Sequence, residues 1–136
     1  NIQNEANKFD NFIKNEPILK VAYFIWKNPW MVAANNTFIE YLLQINKFEN
    51  AYAYKDRYPE IQLTKKSINR EVEWVLLSSE PYPFKEIQKE ELRAYYPDAK
   101  IILVDGEMFS WHGSRLVKAF EYFKELRLNL QGTQIY

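Results

Sequence analysis

The sequence contains no cysteine, which rules out disulfide bonds and thiolate metal ligands. It has only three glycines and none of the glycine-rich motifs that cradle phosphates or present a nucleophilic serine. Its single histidine, His112, has no second histidine to share a zinc or iron site. No apolar run approaches the roughly 20 residues of a membrane helix. These absences exclude disulfide scaffolds and the common nucleotide-binding enzymes.

Charge of one sign is also lacking, because 18 basic residues balance 18 acidic residues. A nucleic-acid surface needs a basic excess or a basic stripe. The longest basic run is Lys65 with Lys66, and Glu90 with Glu91 is the longest acidic run. We therefore expect no nucleic-acid partner.

The chain is rich in apolar and aromatic side chains, at 47% and 17% of its 136 residues. That composition supports one domain with a sizeable core. The chain begins NIQNEANKFDNF, without an initiator methionine or a signal peptide. We interpret it as a processed or truncated product.

Hydrophobic periodicity predicts alternating helices and strands. Helices are predicted at residues 1–16, 37–46, 85–96 and 114–130, with a short one at 63–70. Strands are predicted at residues 20–26, 72–78 and 100–104, with a weaker one at 51–54. Asn36 or Thr37 is expected to cap the second helix, Ser114 can cap the last one, and Ile87 is expected to face inward. The continuous apolar strands indicate an α/β fold with a mostly parallel sheet.

Three strands are each followed by an aromatic loop: WKNPWM at 26–31, SSEPYPF at 78–84 and DGEMFSWHGSR at 105–115. The aromatic loop residues are Trp26, Trp30, Tyr58, Tyr82, Phe84 and Trp111. Ligands of such sheets bind beyond the carboxyl ends of the strands, where these loops lie. Rigid aromatic surfaces with a few carboxylates suit a large, flat, partly apolar ligand. The alternative is that these side chains merely pack the loops.

An enzyme is the second hypothesis, because Glu80, Asp105 and Glu107 stand at strand ends. A doubly wound α/β enzyme would act on a small molecule through Glu80, Glu107 and His112. No nucleophile–base pair accompanies these acids, and Asp105 with Gly106 is a common turn pair. Glu107 and His112 alone make a poor metal site, so we expect no metal site.

Four stretches of the chain resemble a known family: VAYFIWKNPWMVAANNTFIEYLL, RYPEIQL, VLLSSEPYPFKE and ILVDGEMFSWHGSRL. They are similar to the carboxy-terminal lobe of substrate-binding proteins of ABC importers, in the class whose two lobes are joined by a rigid helix. Within this cobalamin and iron-siderophore family, the cobalamin-binding branch is most similar. The resemblance extends over about residues 18–127.

The resemblance implies a three-layer α/β/α lobe with a mostly parallel central sheet, preceded by the end of a long inter-lobe helix. Residues 1–17 would be that helix end and residues 18–136 the carboxy-terminal lobe, with the amino-terminal lobe absent from this chain. It also implies a location in the periplasm or otherwise outside the cytoplasm, free or lipid-anchored. The protein would not be an enzyme and would hold no cofactor of its own.

The implied function is capture of a corrinoid, a ferric siderophore or haem between two lobes and delivery to the ABC permease. The ligand-binding residues implied are Trp30, Met31, Tyr58, Glu80, Tyr82, Glu107, Trp111 and His112. The family's permease-docking acid would fall at Thr64, so Glu60 is assigned to docking in its place. Carboxylates with few cations favour a corrinoid or a neutral-to-cationic chelate, while His112 leaves haem open as an iron-binding alternative.

Overall fold

The computed structural model describes residues 2–110 and 116–132, which form one sheet with helices on both faces. The strands are β1 (Leu19–Trp26), β2 (Met31–Val32), β3 (Phe48–Asn50), β4 (Trp74–Ser78) and β5 (Lys100–Val104). Their order is β2-β1-β4-β5, and β3 pairs with β1 on the edge opposite β4. All pairings are parallel except that of β2 with β1. The prediction of a mostly parallel sheet is confirmed.

Four helices cover the two faces of this sheet. They are α1 (Ile2–Ile13), α2 (Phe38–Ile45), α3 (Glu86–Arg93) and α4 (Leu116–Gly132), with 3-10 turns at Lys65–Ser67 and Gly106–Phe109. In β1, Tyr23 and Ile25 join the core formed with α1, α2 and α4, whereas Phe24 joins the core on the α3 side. Successive strand residues point to opposite faces, so a buried strand feeds both cores. The predicted three-layer arrangement is therefore confirmed.

The first helix belongs to the same core as the sheet. Phe9 is buried against Phe120 and Phe123 of α4, with ring centroids 5.7 and 6.1 Å away. Ile13 is buried in the same cluster. Helix α1 therefore packs on the sheet through α4, and its assignment as the end of an inter-lobe helix stays a prediction.

The start of α2 follows the predicted capping chemistry. The hydroxyl of Thr37 accepts a hydrogen bond from the backbone N–H of Glu40 at 3.0 Å. Thr37 is thus the N-cap, and Asn36 before it adopts a positive φ of 61°. Leu42 and Leu43 bury the inner face of the helix.

Several predicted elements are wrong in position or extent. Helix α1 ends at Ile13 rather than at residue 16, and the predicted helix at 63–70 is reduced to a 3-10 turn at Lys65–Ser67. The strand predicted at 51–54 lies instead at Phe48–Asn50, because its ladder with β1 starts directly after α2. The predicted capping residue Ser114 is outside the described residues.

Helix α3 departs from the predicted inner face at one position, whereas Leu92 and Tyr96, which the same pattern places inward, are buried. Ile87 was expected to face inward, yet it is 65% exposed. Gln88 is buried in its place, because its side-chain oxygen accepts a hydrogen bond from the backbone N–H of Lys85 at the start of the helix. A local capping bond therefore outweighs the apolar pattern at this position.

We call the end of the sheet at which the parallel strands begin its amino edge. Arg127 of α4 lies there and is 1% exposed. Its guanidinium donates to the backbone oxygens of Asn46, at 2.5 Å, and of Pro17. It also lies 5.0 Å from the ring centre of Phe48. Burial lowers the pKa of Arg127, while the more distant charges of Glu16 and Glu73 raise it. One side chain thus joins the ends of α1 and α2 to β3.

The strand order creates a crevice at the opposite end of the sheet, where the parallel strands finish, which we call the carboxyl edge. The chain passes from β1 to β3 on one side, and then to β4 and β5 on the other side of β1. Connections leaving β1 and β4 in opposite directions leave a crevice beyond their carboxyl ends, where open α/β sheets bind ligands. In the described part of the chain, no helix is both long enough and apolar enough to span a membrane.

Candidate functional site

A pocket of about 330 Å³ occupies this crevice. Its lining consists of Tyr23, Ile25, Ile39, Tyr58, Ser78, Glu80, Pro81, Gly106 and Ser110. The residues come from the carboxyl ends of β1 and β4, the start of α2, the segment between β3 and β4, and the loops that follow β4 and β5. Apolar walls with a few convergent polar groups are typical of a small-molecule site.

The innermost polar group is the hydroxyl of Ser78, the last residue of β4. It donates to the backbone oxygen of Glu80 at 2.5 Å and receives a hydrogen bond from the hydroxyl of Tyr23 at 3.2 Å. Tyr23 is fully buried, and this desolvation raises its pKa well above the usual range.

Gly106 lets the third loop approach this network. A Cβ atom at position 106 would lie 2.3 Å from the Ser78 hydroxyl oxygen and 2.8 Å from Cγ of Glu80. The backbone N–H of Gly106 also donates to the hydroxyl of Ser79 at 2.9 Å. Glycine is required here by close packing of two loops, and not only by the turn that the pair Asp105–Gly106 suggested.

The loop after β5 is fixed by several further hydrogen bonds. The carboxylate of Asp105 accepts from the backbone N–H of Glu107 at 3.0 Å, and the backbone N–H of Asp105 donates to the hydroxyl of Tyr122 at 2.8 Å. The hydroxyl of Ser110 donates to the backbone oxygen of Gly106 at 2.8 Å. Ser110 thereby reaches the pocket, while the side chain of Glu107 is exposed.

Tyr58 is held at the opposite wall by a second backbone ladder. The backbone of Arg57 exchanges hydrogen bonds with Ala34 and Asn35, at 2.8 and 2.7 Å. Arg57 adopts a positive φ of 63°, which turns the chain immediately before Tyr58. The ring of Tyr58 is 38% exposed and lines the pocket.

The aromatic residues of the first two loops pack against one another. Trp26 and Tyr82 meet edge to face with centroids 5.4 Å apart, and Tyr82 lies 4.7 Å from Phe84. Trp30 stacks on Phe84 at 6.3 Å. The predicted convergence of these loops at one edge of the sheet is confirmed, although several of the rings contact each other.

The predicted ligand-binding residues are only partly brought together. Tyr58 and Glu80 line the pocket. Tyr82 belongs to the neighbouring aromatic cluster, next to Pro81 of the lining. Trp30 packs towards Phe84 and the α3 side of the sheet, and its role in binding stays a prediction.

Two further predicted residues, Met31 and Glu107, are not among the lining residues of this pocket. Met31 is half-buried in β2, where it packs against the core, and Glu107 is exposed on the 3-10 turn. Trp111 and His112 lie outside the described residues. Their predicted roles in ligand binding stay predictions.

Sequence reasoning missed Tyr23, Ile39, Ser78, Gly106 and Ser110 as lining residues. Tyr23 was interpreted only as part of a buried strand, and Ser78 as the end of a strand and the start of its aromatic loop. The one available signal was the alternation in β1, which puts Tyr23 and Ile25 on the same face. Which end of a strand is open to a ligand depends on the strand order, and the pattern does not contain that order.

The residues considered for docking and for metal binding lie elsewhere. Glu60 is exposed and pairs through its backbone with Met31, and its side chain borders a separate groove with Tyr54 and Ile61. Thr64 caps the 3-10 turn, and its hydroxyl accepts from the backbone N–H of Lys66 at 3.3 Å. Among the described residues, no group of three or more His, Cys, Asp or Glu side chains could hold a metal ion.

Solved structures of known proteins share this fold. A protein from Staphylococcus epidermidis, described as a possible iron-binding (periplasmic solute-binding) protein, superposes with a TM-score of 0.73 at 16% identity, over 91% of this chain and 51% of its own. The vitamin B12 binding protein BtuF of Vibrio cholerae gives 0.68 at 12% identity, over 90% of this chain and 49% of its own. The heme-binding protein RhuT from Roseiflexus gives 0.72 at 14% identity, over 90% and 51%.

The fold is therefore that of part of a periplasmic solute-binding protein, as the resemblance in sequence implied. The chain spans about half the length of these structures. No protein-family model matches the chain, and no curated protein matches it in sequence.

Proposed function

We propose that this chain is the carboxy-terminal lobe of an extracytoplasmic substrate-binding component of an ABC importer. It captures a corrinoid or an iron chelate and delivers it to the membrane permease. The observation that carries the proposal is the pocket at the switch between β1 and β4, in a fold shared with binding proteins for iron, vitamin B12 and heme.

The size of the pocket agrees with half of a binding cleft. A volume of about 330 Å³ is at the lower end of the roughly 300–1,000 Å³ of small-molecule sites. A corrin or porphyrin is larger, so it would enter the pocket with one part of its periphery. We propose that a second lobe covers the remainder, and we expect this chain alone to bind weakly.

The proposal is tested by calorimetric titration of the chain with cyanocobalamin, haem and ferrioxamine B, supported by tryptophan fluorescence. We expect saturable binding of at least one ligand, without turnover. Tyr58→Ala should weaken this binding at least tenfold, because Tyr58 lines the pocket.

Tyr54→Ala is the matched control, since Tyr54 is another exposed tyrosine but borders a different groove. It should leave the affinity unchanged. Failure of all three ligands to bind, at concentrations up to the millimolar range, would contradict the proposed function.

A further inference from the structure

We propose that the floor of the pocket recognises hydrogen-bond donors, so that the part of the ligand entering it is neutral or cationic and carries no carboxylate. This inference rests on the proposed function and specifies its ligand. It follows from which acceptors the hydroxyl groups of the lining residues already donate to.

The direction of each hydrogen bond in the floor is fixed by a backbone carbonyl, which can only accept. Ser78 uses its single hydrogen on the backbone oxygen of Glu80. Tyr23 must then be the donor in its bond to Ser78, which uses the hydrogen of Tyr23 as well. Neither hydroxyl has a hydrogen left for a ligand.

Ser110 is committed in the same way. Its hydroxyl donates to the backbone oxygen of Gly106 at 2.8 Å, and the oxygen of Glu107 lies 3.4 Å away as a second acceptor. The lone pairs of the exposed Ser110 remain as acceptors for a ligand, whereas Tyr23 and Ser78 are buried behind it. Tyr58, at the wall, differs from the other described lining hydroxyls, because none of these bonds uses its hydrogen.

The charge of the lining residues also favours a neutral or cationic ligand group. Glu80 is exposed and contributes a carboxylate, and the described lining includes no Lys, Arg or His. Lys27, in the loop after β1, is directed to the carboxylate of Glu91 at 2.7 Å on the α3 side. Among the described lining residues, a ligand carboxylate would face acceptors and a like charge with no cation beside it.

Primary amides and ammonium groups satisfy these acceptors. The corrin periphery carries primary amides, a hydroxamate chelate can carry a free ammonium group, and haem carries carboxylates. The pocket therefore selects against the carboxylate edge of a haem and against chelates with free carboxylates.

The test compares ligands that carry an amide or ammonium group with relatives that carry a carboxylate in its place. They are cyanocobalamin and its monocarboxylic acids, ferrioxamine B or its N-acetyl derivative and its N-succinyl derivative, and the diamide of haem and haem itself. We expect the amide or ammonium member of each bound pair to have a Kd at least tenfold lower than the carboxylate member. Equal or tighter binding of the carboxylate members would overturn this inference and leave the proposed function intact.

Glu80→Gln removes the charge and retains the shape, so it should reduce the preference for the amide or ammonium member at least threefold. Glu125→Gln is the matched control, because Glu125 is exposed near the middle of α4, two residues before Arg127 at the amino edge. An unchanged preference in Glu80→Gln would also overturn the inference. Absence of binding by every ligand would instead contradict the proposed function and this inference with it.

Discussion

At the amino edge of the sheet, the buried guanidinium of Arg127 donates to the backbone oxygens of Asn46 and Pro17. At the carboxyl edge, Tyr23 and Ser78 are also buried and bond internally, yet the exposed Ser110 and Glu80 beside them line an open pocket. One edge uses its polar atoms to tie three elements together. The other arranges them around a space that a ligand can fill.

This difference separates residues that stabilise the lobe from residues that shape its site. A buried charged group that is fully hydrogen-bonded contributes to stability mainly because its loss leaves buried partners unsatisfied. A strand end with ordered hydroxyls and a carboxylate beside a pocket is preorganised for binding. Substitutions at the two edges should therefore change different measured quantities.

Arg127→Leu should have the largest effect on stability. It leaves the buried oxygens of Asn46 and Pro17 without their donor, and we expect a loss of about 3 kcal/mol in the free energy of unfolding. Urea denaturation measures it. Ligand affinity of the folded fraction should not change, and a loss below about 1 kcal/mol would contradict the role assigned to Arg127.

Gly106→Ala should affect both stability and binding. The added methyl group would meet the Ser78 hydroxyl at 2.3 Å, so the loops must separate, at a cost of about 2 kcal/mol. Thermal unfolding and ligand titration check the two effects. Ser79→Ala, which removes the acceptor of the Gly106 N–H without adding bulk, should weaken binding less; the opposite ranking would count against the steric argument.

Alkaline pH should destabilise the protein through Tyr23. Burial raises its pKa in the folded state, so its contribution is complete below the unfolded-state pKa of about 10 and is lost as pH rises above it. Each such group changes the free energy of unfolding by about 1.4 kcal/mol per pH unit in that range. Urea denaturation between pH 9 and about pH 11 should show a shallower decline in Tyr23→Phe. Identical slopes would exclude Tyr23 as the source.

Ile87→Ser should have the smallest effect. Ile87 is 65% exposed, so we expect the free energy of unfolding to change by less than about 0.5 kcal/mol. Leu92→Ala on the inner face of the same helix should cost about 3 kcal/mol, because Leu92 is fully buried. Similar losses in the two variants would show that α3 packs with the orientation predicted from sequence.

Much of the fold was predictable because its strands are long apolar runs. Residues 20–26, 72–78 and 100–104 were predicted as strands, and the structure has Leu19–Trp26, Trp74–Ser78 and Lys100–Val104. Short elements were not predictable, since β3 has three residues and owes its position to pairing with β1. Likewise, Gln88 replaces Ile87 inside because of one capping bond.

The sequence predicted where on the sheet the candidate site lies, but not which residues line it. Glu80, in a loop after a buried strand, and Tyr58, which the family resemblance implied, both line the pocket, and their role in ligand binding stays a prediction. Trp30 was interpreted in the same way, yet it stacks on Phe84. A side chain in a loop can turn towards the core or the pocket, and local sequence does not distinguish the two.

Composition and periodicity by themselves determined that the chain forms an α/β layer structure with aromatic loops on one edge, since buried parallel strands require continuous apolar runs. Tertiary structure alone decided that β3 and β4 flank β1, which opens the pocket beside Tyr23 and Ser78. The physical reason is that strand order and hydrogen-bond direction arise from contacts between residues distant in the chain. Tyr23 and Ser78 are 55 residues apart, and only folding brings their hydroxyls to 3.2 Å.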